Sequence, residues 1–403
     1  MAASIAVVVA CLAVLLGAGV WIGFTLVATG AITLSIFRDM PVGTLLAFDM
    51  WNSLTAYELV SLPLFIFMGE ILFNTRLSEA VFSGLAPFTR RIPGRLLHAN
   101  VLGCTMFAAV SGSSAATTAT IGRMTLAELK RRGYDQDLAM GSLCGAGTLG
   151  FLIPPSIIMI VYGVLAQVSI IDLFVAGVVP GIALALAFMV YIGLAATLRA
   201  GVVPAQEPRT TFAQKLRALA DLGPIVFLIA IVIGSMYTGL AGPSEAAVIG
   251  VAGALVVAAV QKCLTVANLR AAAMASVKTC SMIGLIVAGA LFLSKAAAFL
   301  QLPEAIAGAV GALGLSPLAL ILLLILVYIA LGCIIDGLSA IVMTLPIVLP
   351  MITAAGFDPV WFGIFLVVVV EMSQITPPVG FNLFVVQGLT GHAMGRVAKA
   401  AFP

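Results

Sequence analysis

Two double prolines, Pro154-Pro155 and Pro377-Pro378, interrupt apolar segments at matching places in the chain. Gly133-Tyr134-Asp135 stands 21 residues before the first pair, and Gly356-Phe357-Asp358 stands 21 residues before the second. The offset between the copies is 223 residues both times (356 − 133 and 377 − 154). Proline lacks a backbone N–H and clashes with the carbonyl one turn back, so a helix does not run smoothly through such a pair. At membrane depth, opened backbone survives only where it is buried in protein or lines a cavity. Interrupted segments at corresponding positions of two halves are a sequence pointer to a transporter's binding site.

That the setting is a membrane follows from composition. The 403 residues are 62% hydrophobic and 9% charged, with mean hydropathy +1.22, where a soluble domain carries about 25% charge. Apolar runs of about 20 residues recur, each long enough to span a bilayer. They are continuous rather than alternating, which predicts helices and not a barrel. The six cysteines (Cys11, Cys104, Cys144, Cys263, Cys280, Cys333) lie scattered in apolar sequence without a CxxC and read as small packing residues. A net charge of +3 reflects inner-face loops and implies no nucleic-acid partner. From Ile5 to Phe37 the sequence reads as two retained spans around Gly17–Trp21, because Met1–Ala10 has neither a basic stretch nor an evident cleavage site.

Lys and Arg mark cytoplasmic span ends. Arg90-Arg91 with Arg95, and then Lys130-Arg131-Arg132, bracket Leu96–Leu129. A segment with both ends on one side is a re-entrant hairpin, and the small polar run Ser111-Gly112-Ser113-Ser114 suits its tip. Asp137–Val168 then runs outward through the first break, and Ile171–Leu198 returns. Residues 199–221 form a basic cytoplasmic linker. Leu222–Leu240 goes out and Ala246–Val260 comes back. Asn268–Lys278 reads as a separate surface-lying amphipathic helix, followed by the span Cys280–Leu300. The second hairpin, Pro317–Ile352, has no basic residue at either end, so it enters from the outside. Its tip is near Asp336-Gly337, and Asp336 is the repeat partner of Ser113. The last broken span is Val360–Leu389. Opposed charge at the two hairpins predicts an inverted-topology repeat. Arg38 is an exception, since the count places it outside.

The expected architecture is an all-α polytopic membrane protein with an inverted repeat, two re-entrant hairpins and two broken helices. Residues 1–95 supply first-half scaffold spans and an arm helix. Residues 96–198 supply the first transport unit and a return span, and 199–221 the linker. Residues 222–300 supply the second scaffold part and arm helix, and 301–403 the second transport unit.

A broken helix frees carbonyls, which with hydroxyls are hard oxygen ligands suited to Na⁺. Half-helix N-termini carry positive dipole ends suited to a carboxylate. The candidate Na⁺ ligands are Ser111, Gly112, Ser113, Thr148 and Gly150 in the first half, and Asp336, Gly337, Thr376 and Gly380 in the second. The candidate substrate contacts are Ser113, Ser114, Thr117, Pro155 and Ser156, then Pro378, Gly380 and Asn382. The second tip, with Ser339, is expected to face Thr376–Gly380 and Asn382. Ser and Thr also serve as ordinary interhelical hydrogen-bonding groups, and that reading stands beside the functional one. Charged residues inside spans are costly, which singles out Glu70, Glu245, Glu371 and Asp336. Arg123 either meets an anion or snorkels to the inner face. His98 and His392 are the only histidines and read as solvated interface residues, too few and too separated for a zinc site.

Four stretches carry a family resemblance: Ala109–Thr117 (AVSGSSAAT), Gly147–Ser156 (GTLGFLIPPS), Pro243–Ala247 (PSEAA) and Thr376–Phe384 (TPPVGFNLF). Together they resemble the large, DctM-like membrane subunit of tripartite ATP-independent periplasmic (TRAP) transporters, and the likeness runs through nearly the whole chain. The resemblance implies an importer in the bacterial inner (cytoplasmic) membrane, driven by Na⁺ symport, with a scaffold and a mobile elevator domain. It implies two protein partners, a small membrane subunit of about four helices and a soluble periplasmic substrate-binding protein. It implies small organic acids as substrates, such as four-carbon dicarboxylates or sialic acid, and no cofactor beyond Na⁺ as coupling ion. Helices near Arg76–Arg90 and Asn268–Lys278 match the family's bracing arms. Family members usually continue into a further span beyond the position of Phe402-Pro403.

A single-component Na⁺/dicarboxylate symporter of related design is the alternative, and a passive channel is a third reading. An enzyme is not expected. Val110-Ser111-Gly112 is similar to part of a rhomboid-protease serine motif, but that chemistry needs a histidine base within hydrogen-bond reach of the serine. Neither His98 nor His392 is placed to serve a serine at mid-membrane.

Overall fold

The computed structural model describes residues 2–199, 201–204, 211–305, 308, 316–333, 335–377 and 380–403. Among these the regular elements are helices, and no strand occurs. Six helical spans are long and apolar enough to cross a membrane, or seven if one bent pair is counted as a single span. This is a polytopic helical membrane protein.

The first half comprises α1 (Ala2–Gly17), α2 (Ile22–Phe37), α3 (Val42–Leu54), α4 (Ser61–Phe73), α5 (Leu77–Thr89), α6 (His98–Ser111), α7 (Ser114–Arg131), α8 (Gln136–Leu152), α9 (Ile157–Ala166) and α10 (Ile170–Leu198). The second comprises α11 (Phe212–Tyr237), α12 (Pro243–Val260), α13 (Val266–Phe299), α14 (Pro317–Gly332), α15 (Gly337–Ala354), α16 (Pro359–Gln374), α17 (Phe381–Thr390) and α18 (Met394–Ala401).

Helix ends follow the repeat because the capping residues do. Ser113 caps α7 and its repeat partner Asp336 caps α15, each side chain accepting a first-turn N–H. Asp135 and Asp358 do the same for α8 and α16. Such caps satisfy donors that a helix start leaves unpaired, typically worth ~1 kcal/mol each. After the second break the register slips by one: Ser156 caps α9, whereas Gly380 occupies that place before α17. Packing is reciprocal as well. α2 lies on α13 and α12 lies on α4, and adding 223 to α2 gives the range of α12, while adding it to α4 gives a range within α13. The span Gln136–Ala166 is the most buried of the six, so the core sits on the first broken helix.

Three local expectations are corrected, and Arg38 gains a partner. Asn268–Lys278 is not a separate surface helix: it is continuous with the following span in the 34-residue α13. No proline interrupts that stretch. Its first-half counterpart does break, with a 54° bend between Val42–Leu54 and Tyr57–Phe73. There Ala56 is extended, and Pro63 removes an N–H from the first turn of α4. Secondly, residues 212–221 belong to a helix and not to a linker, because Thr211 and Gln214 form a reciprocal capping box that starts α11 at Phe212. Thirdly, His98 is fully buried, its Nε2 2.6 Å from the Pro93 carbonyl, as the turn Pro93-Gly94 folds over the start of α6; His392 is half-buried. Finally, Arg38 has a specific partner. Its Nε and Nη2 donate to the Phe299 carbonyl at 3.0 and 2.6 Å, neutralising the end of α13, where a cation is favoured.

Candidate functional site

The first tip is the α6–α7 turn. Gly112 has φ +61°, and a Cβ there would come within 2.7 Å of the Pro155 carbonyl; only glycine combines that backbone with that approach. The Gly112 carbonyl accepts the Ile157 N–H at 3.2 Å. On the other side of the same break, a Cβ on Gly150 would lie 2.6 Å from the Ser113 carbonyl carbon and oxygen. The tip therefore touches the end of α8 and the start of α9 through backbone. Gly69 of α4 approaches from outside this unit, its Cβ position 3.3 Å from Ser111 Cα.

Oxygens gather at this junction. The Ser111 and Thr117 hydroxyls share a hydrogen bond of 2.8 Å. Ser113 Oγ accepts from Ala116 N–H. Thr148 Oγ1 donates to the Gly145 carbonyl at 2.8 Å, and Ser156 Oγ donates to the Phe151 carbonyl at 2.5 Å. A hydroxyl that spends its proton on a carbonyl keeps lone pairs for a cation. Among the described residues, no group of three or more His, Cys, Asp or Glu could hold a metal ion. The chemistry on offer is thus neutral hard oxygen, which suits a weakly held monovalent cation better than zinc or a transition metal.

The second tip joins α14 to α15. Asp336 is exposed. It accepts the Ser339 hydroxyl at 2.5 Å and the Ser339 N–H at 3.1 Å. Gly337 is pressed onto α16, with Val370 Cγ1 2.2 Å from where a Cβ would stand and Gln374 Nε2 3.3 Å from it. Cys333 Sγ donates to the Pro377 carbonyl at 3.3 Å. Thr376 is half-buried and donates to Met372 O at 2.7 Å. Gly380 is buried with φ +45°. This tip therefore meets the end of α16 through Gly337 and Cys333. Pro378 lies outside the described residues.

Asn382 goes elsewhere. It was expected opposite the second tip, yet its Oδ1 accepts from Ser114 Oγ at 3.0 Å and its Nδ2 donates to the Cys144 carbonyl at 3.3 Å. Both side chains are buried. Thr118 stands over Gly147 beside them, its Oγ1 1.9 Å from the glycine's would-be Cβ. The first helical turn beyond the second break thus closes on the first tip. Sequence spacing could not show this, because a repeat offset fixes correspondence between halves and not the distance between them.

Three other singled-out charges are Glu245, Glu70 and Arg123. Glu245 sits in the first turn of α12 and accepts from Tyr57 Oη at 2.7 Å. Glu70 is half-buried in α4. Arg123 stacks on Phe73, 5.2 Å from the ring centroid. It lines a cavity of about 860 Å³ between α5, α7 and α11, together with Arg217 and Glu128. A second cavity of about 540 Å³ lies between Ser53–Glu58 and Gly163–Ile171, walled on one side by Lys295. Lys295 pairs with buried Asp49 of α3, a contact that sequence reading missed for want of any spacing signal. None of the candidate tip and break residues lines either cavity.

Residues 9–403 match the family described as "Tripartite ATP-independent periplasmic transporter, DctM component". The chain is 35% identical to the C4-dicarboxylate TRAP transporter large permease protein DctM of Pseudomonas aeruginosa, over 93% of this chain and 87% of that one. It is 28% identical to the sialic acid TRAP transporter large permease protein SiaM of Vibrio cholerae, over 96% and 90%. Among solved structures, the Alcanivorax borkumensis YdaH transporter shares the fold, with TM-score 0.69 and 15% identity over 95% of this chain and 93% of that one.

Proposed function

This chain belongs to the DctM component family of tripartite ATP-independent periplasmic transporters, and from that premise we propose that it is the large membrane subunit of a Na⁺-coupled, binding-protein-dependent importer of small organic acids. It works in the bacterial inner membrane with a small membrane subunit and a periplasmic binding protein. Hairpins α6–α7 and α14–α15 are re-entrant, enter from opposite faces, and travel with the broken helices as an elevator against a scaffold built on α2, α4, α12 and α13. Na⁺ is held between each tip and its break, and the substrate carboxylate is held where the tips meet the half-helix starts. One observation carries the reading: Ser114 on the first tip bonds Asn382 just past the second break, so both interrupted elements converge on one polar point. A buried polar contact between two broken elements has a use in binding that an ordinary helix pair lacks. The C4-dicarboxylate relative is 35% identical to this chain and the sialic acid relative 28%, so four-carbon dicarboxylates come first among candidate cargo and sialic acid second.

The test is uptake into proteoliposomes holding this chain, its small membrane subunit and its binding protein. Uptake that requires both an inward Na⁺ gradient and the binding protein is the expected result. Uptake by this chain alone would favour the single-component symporter, and uptake indifferent to Na⁺ would remove the coupling ion from the reading.

A further inference from the structure

Glu371 belongs to none of the contacts described above. It sits in α16, three residues before Gln374, and is 2% exposed. No side chain among the described residues hydrogen-bonds either carboxyl oxygen, the Leu152 backbone being the polar group nearest them, and Gln374 Nε2 has no partner either. Burying a charged group without a partner is among the most costly things a chain can do, and unsatisfied buried groups of this kind call for an explanation.

The surroundings supply no counter-charge. α16 packs chiefly against α8, α9, α10, α14, α15 and α17. None of these helices contains Lys, Arg or His. Their titratable and charged groups are Asp137 and Cys144 on α8, Tyr162 on α9, Asp172 and Tyr191 on α10, Tyr328 on α14, and Asp336 capping α15. All are acids or neutral hydroxyls and thiols. Arg396 on α18, the one base paired with this set among the described residues, is engaged by Asp137 at 2.7 Å. A carboxyl retained here, with every neighbouring helix free of bases, is placed to take its positive charge from outside the protein.

We propose that Glu371 is a cation site: it takes one monovalent cation from solution, H⁺ or Na⁺, and keeps it while the site is closed. In the proton case water's hydronium gives its proton to a carboxylate oxygen and is left as water. In the sodium case the carboxylate oxygens meet the ion. Resting on the importer reading above, this adds one positive charge to the loaded transporter, on α16 behind the second tip.

Cation binding itself needs neither substrate nor partner, so its failure is separable from failure of the importer reading. The purified full chain in lipid nanodiscs would be followed by infrared difference spectroscopy. One series varies pH with choline as the only salt cation; the other varies NaCl against choline chloride at fixed pH. The expected result is a carboxyl band that responds to one of the two titrations and is lost in Glu371→Gln, which keeps the side chain's shape. Response to pH alone identifies the proton, and response to Na⁺ alone identifies sodium. Glu371→Asp keeps the carboxyl and is expected to retain a responsive band, which guards against loss of the band through misfolding. Identical spectra for wild type and Glu371→Gln in both series, with Glu371→Asp equally unchanged, would overturn the proposal.

Discussion

Replacing Gly150 by alanine should cost Na⁺ affinity, and the structure sets the size of the effect. The new Cβ would stand 2.6 Å from the Ser113 carbonyl carbon and oxygen and 2.7 Å from Ser114 N, where ordinary contact begins at 3.4 Å. Something must move by about 0.8 Å (3.4 − 2.6). All three obstructing atoms are backbone, so no rotamer change relieves them, and the hairpin tip must back away from α8. Overpacking of this kind typically costs about 1–3 kcal/mol. If the tip-to-α8 contact is part of the Na⁺ site, the strain appears when the site assembles around its ion. Half-saturating Na⁺ should then rise by roughly 5- to 150-fold, since each 1.4 kcal/mol is about tenfold. The assay is Na⁺ titration of uptake, with Na⁺-dependent thermal shift as a substrate-free check. Gly388→Ala is the control, because nothing lies within 4 Å of its would-be Cβ. A Gly150→Ala protein that melts lower but keeps the parent's Na⁺ dependence would refute the reasoning, leaving the contact as packing alone.

Three further outcomes follow from described contacts. In a double-mutant cycle, Ser114→Ala and Asn382→Ala should show a coupling energy of roughly 0.5–3 kcal/mol in transport, as expected for residues in one hydrogen-bonded pair; additive effects would deny that the pair acts together. Replacing Pro154-Pro155 by two alanines should let α8 run on into α9 and abolish Na⁺-dependent uptake at normal protein level, and normal uptake would dismiss the opened backbone as a site. Lys295→Met should lower thermal stability by about 1–3 kcal/mol, since it strands the buried Asp49 carboxylate, while Asp49→Asn should cost less; equal melting curves for Lys295→Met and wild type would show that the pair is not a stabilising one.

The spans, both tips and both breaks were readable because each has a local cause. Charge asymmetry marks span ends, double proline marks the breaks, and the capping residues Ser113, Asp135, Asp336 and Asp358 recur at the repeat offset. What escaped was non-local or rested on weaker signals. The Ser114–Asn382 contact joins residues 268 apart, and no period in either half encodes it. The Lys295–Asp49 pair likewise joins residues 246 apart. The start of α11 was missed because a basic stretch was read as linker, although the Thr211–Gln214 capping box was present in the sequence. His98 looked solvated from its position at a span end, and the fold of Pro93-Gly94 over α6 reversed that.

The contrast between α13 and its bent counterpart has a mechanical side. At 1.5 Å per residue, the 34 residues of α13 make a rod about 51 Å long, well beyond the ~30 Å hydrocarbon layer. A rod of that length transmits a push at Val266 to Lys295 and to the Phe299 carbonyl that holds Arg38. The α3–α4 pair, jointed at Thr55-Ala56, can flex instead of transmitting. The two halves therefore share a plan but differ in reach: one carries a single rod past both faces of the hydrocarbon layer where the other turns a corner.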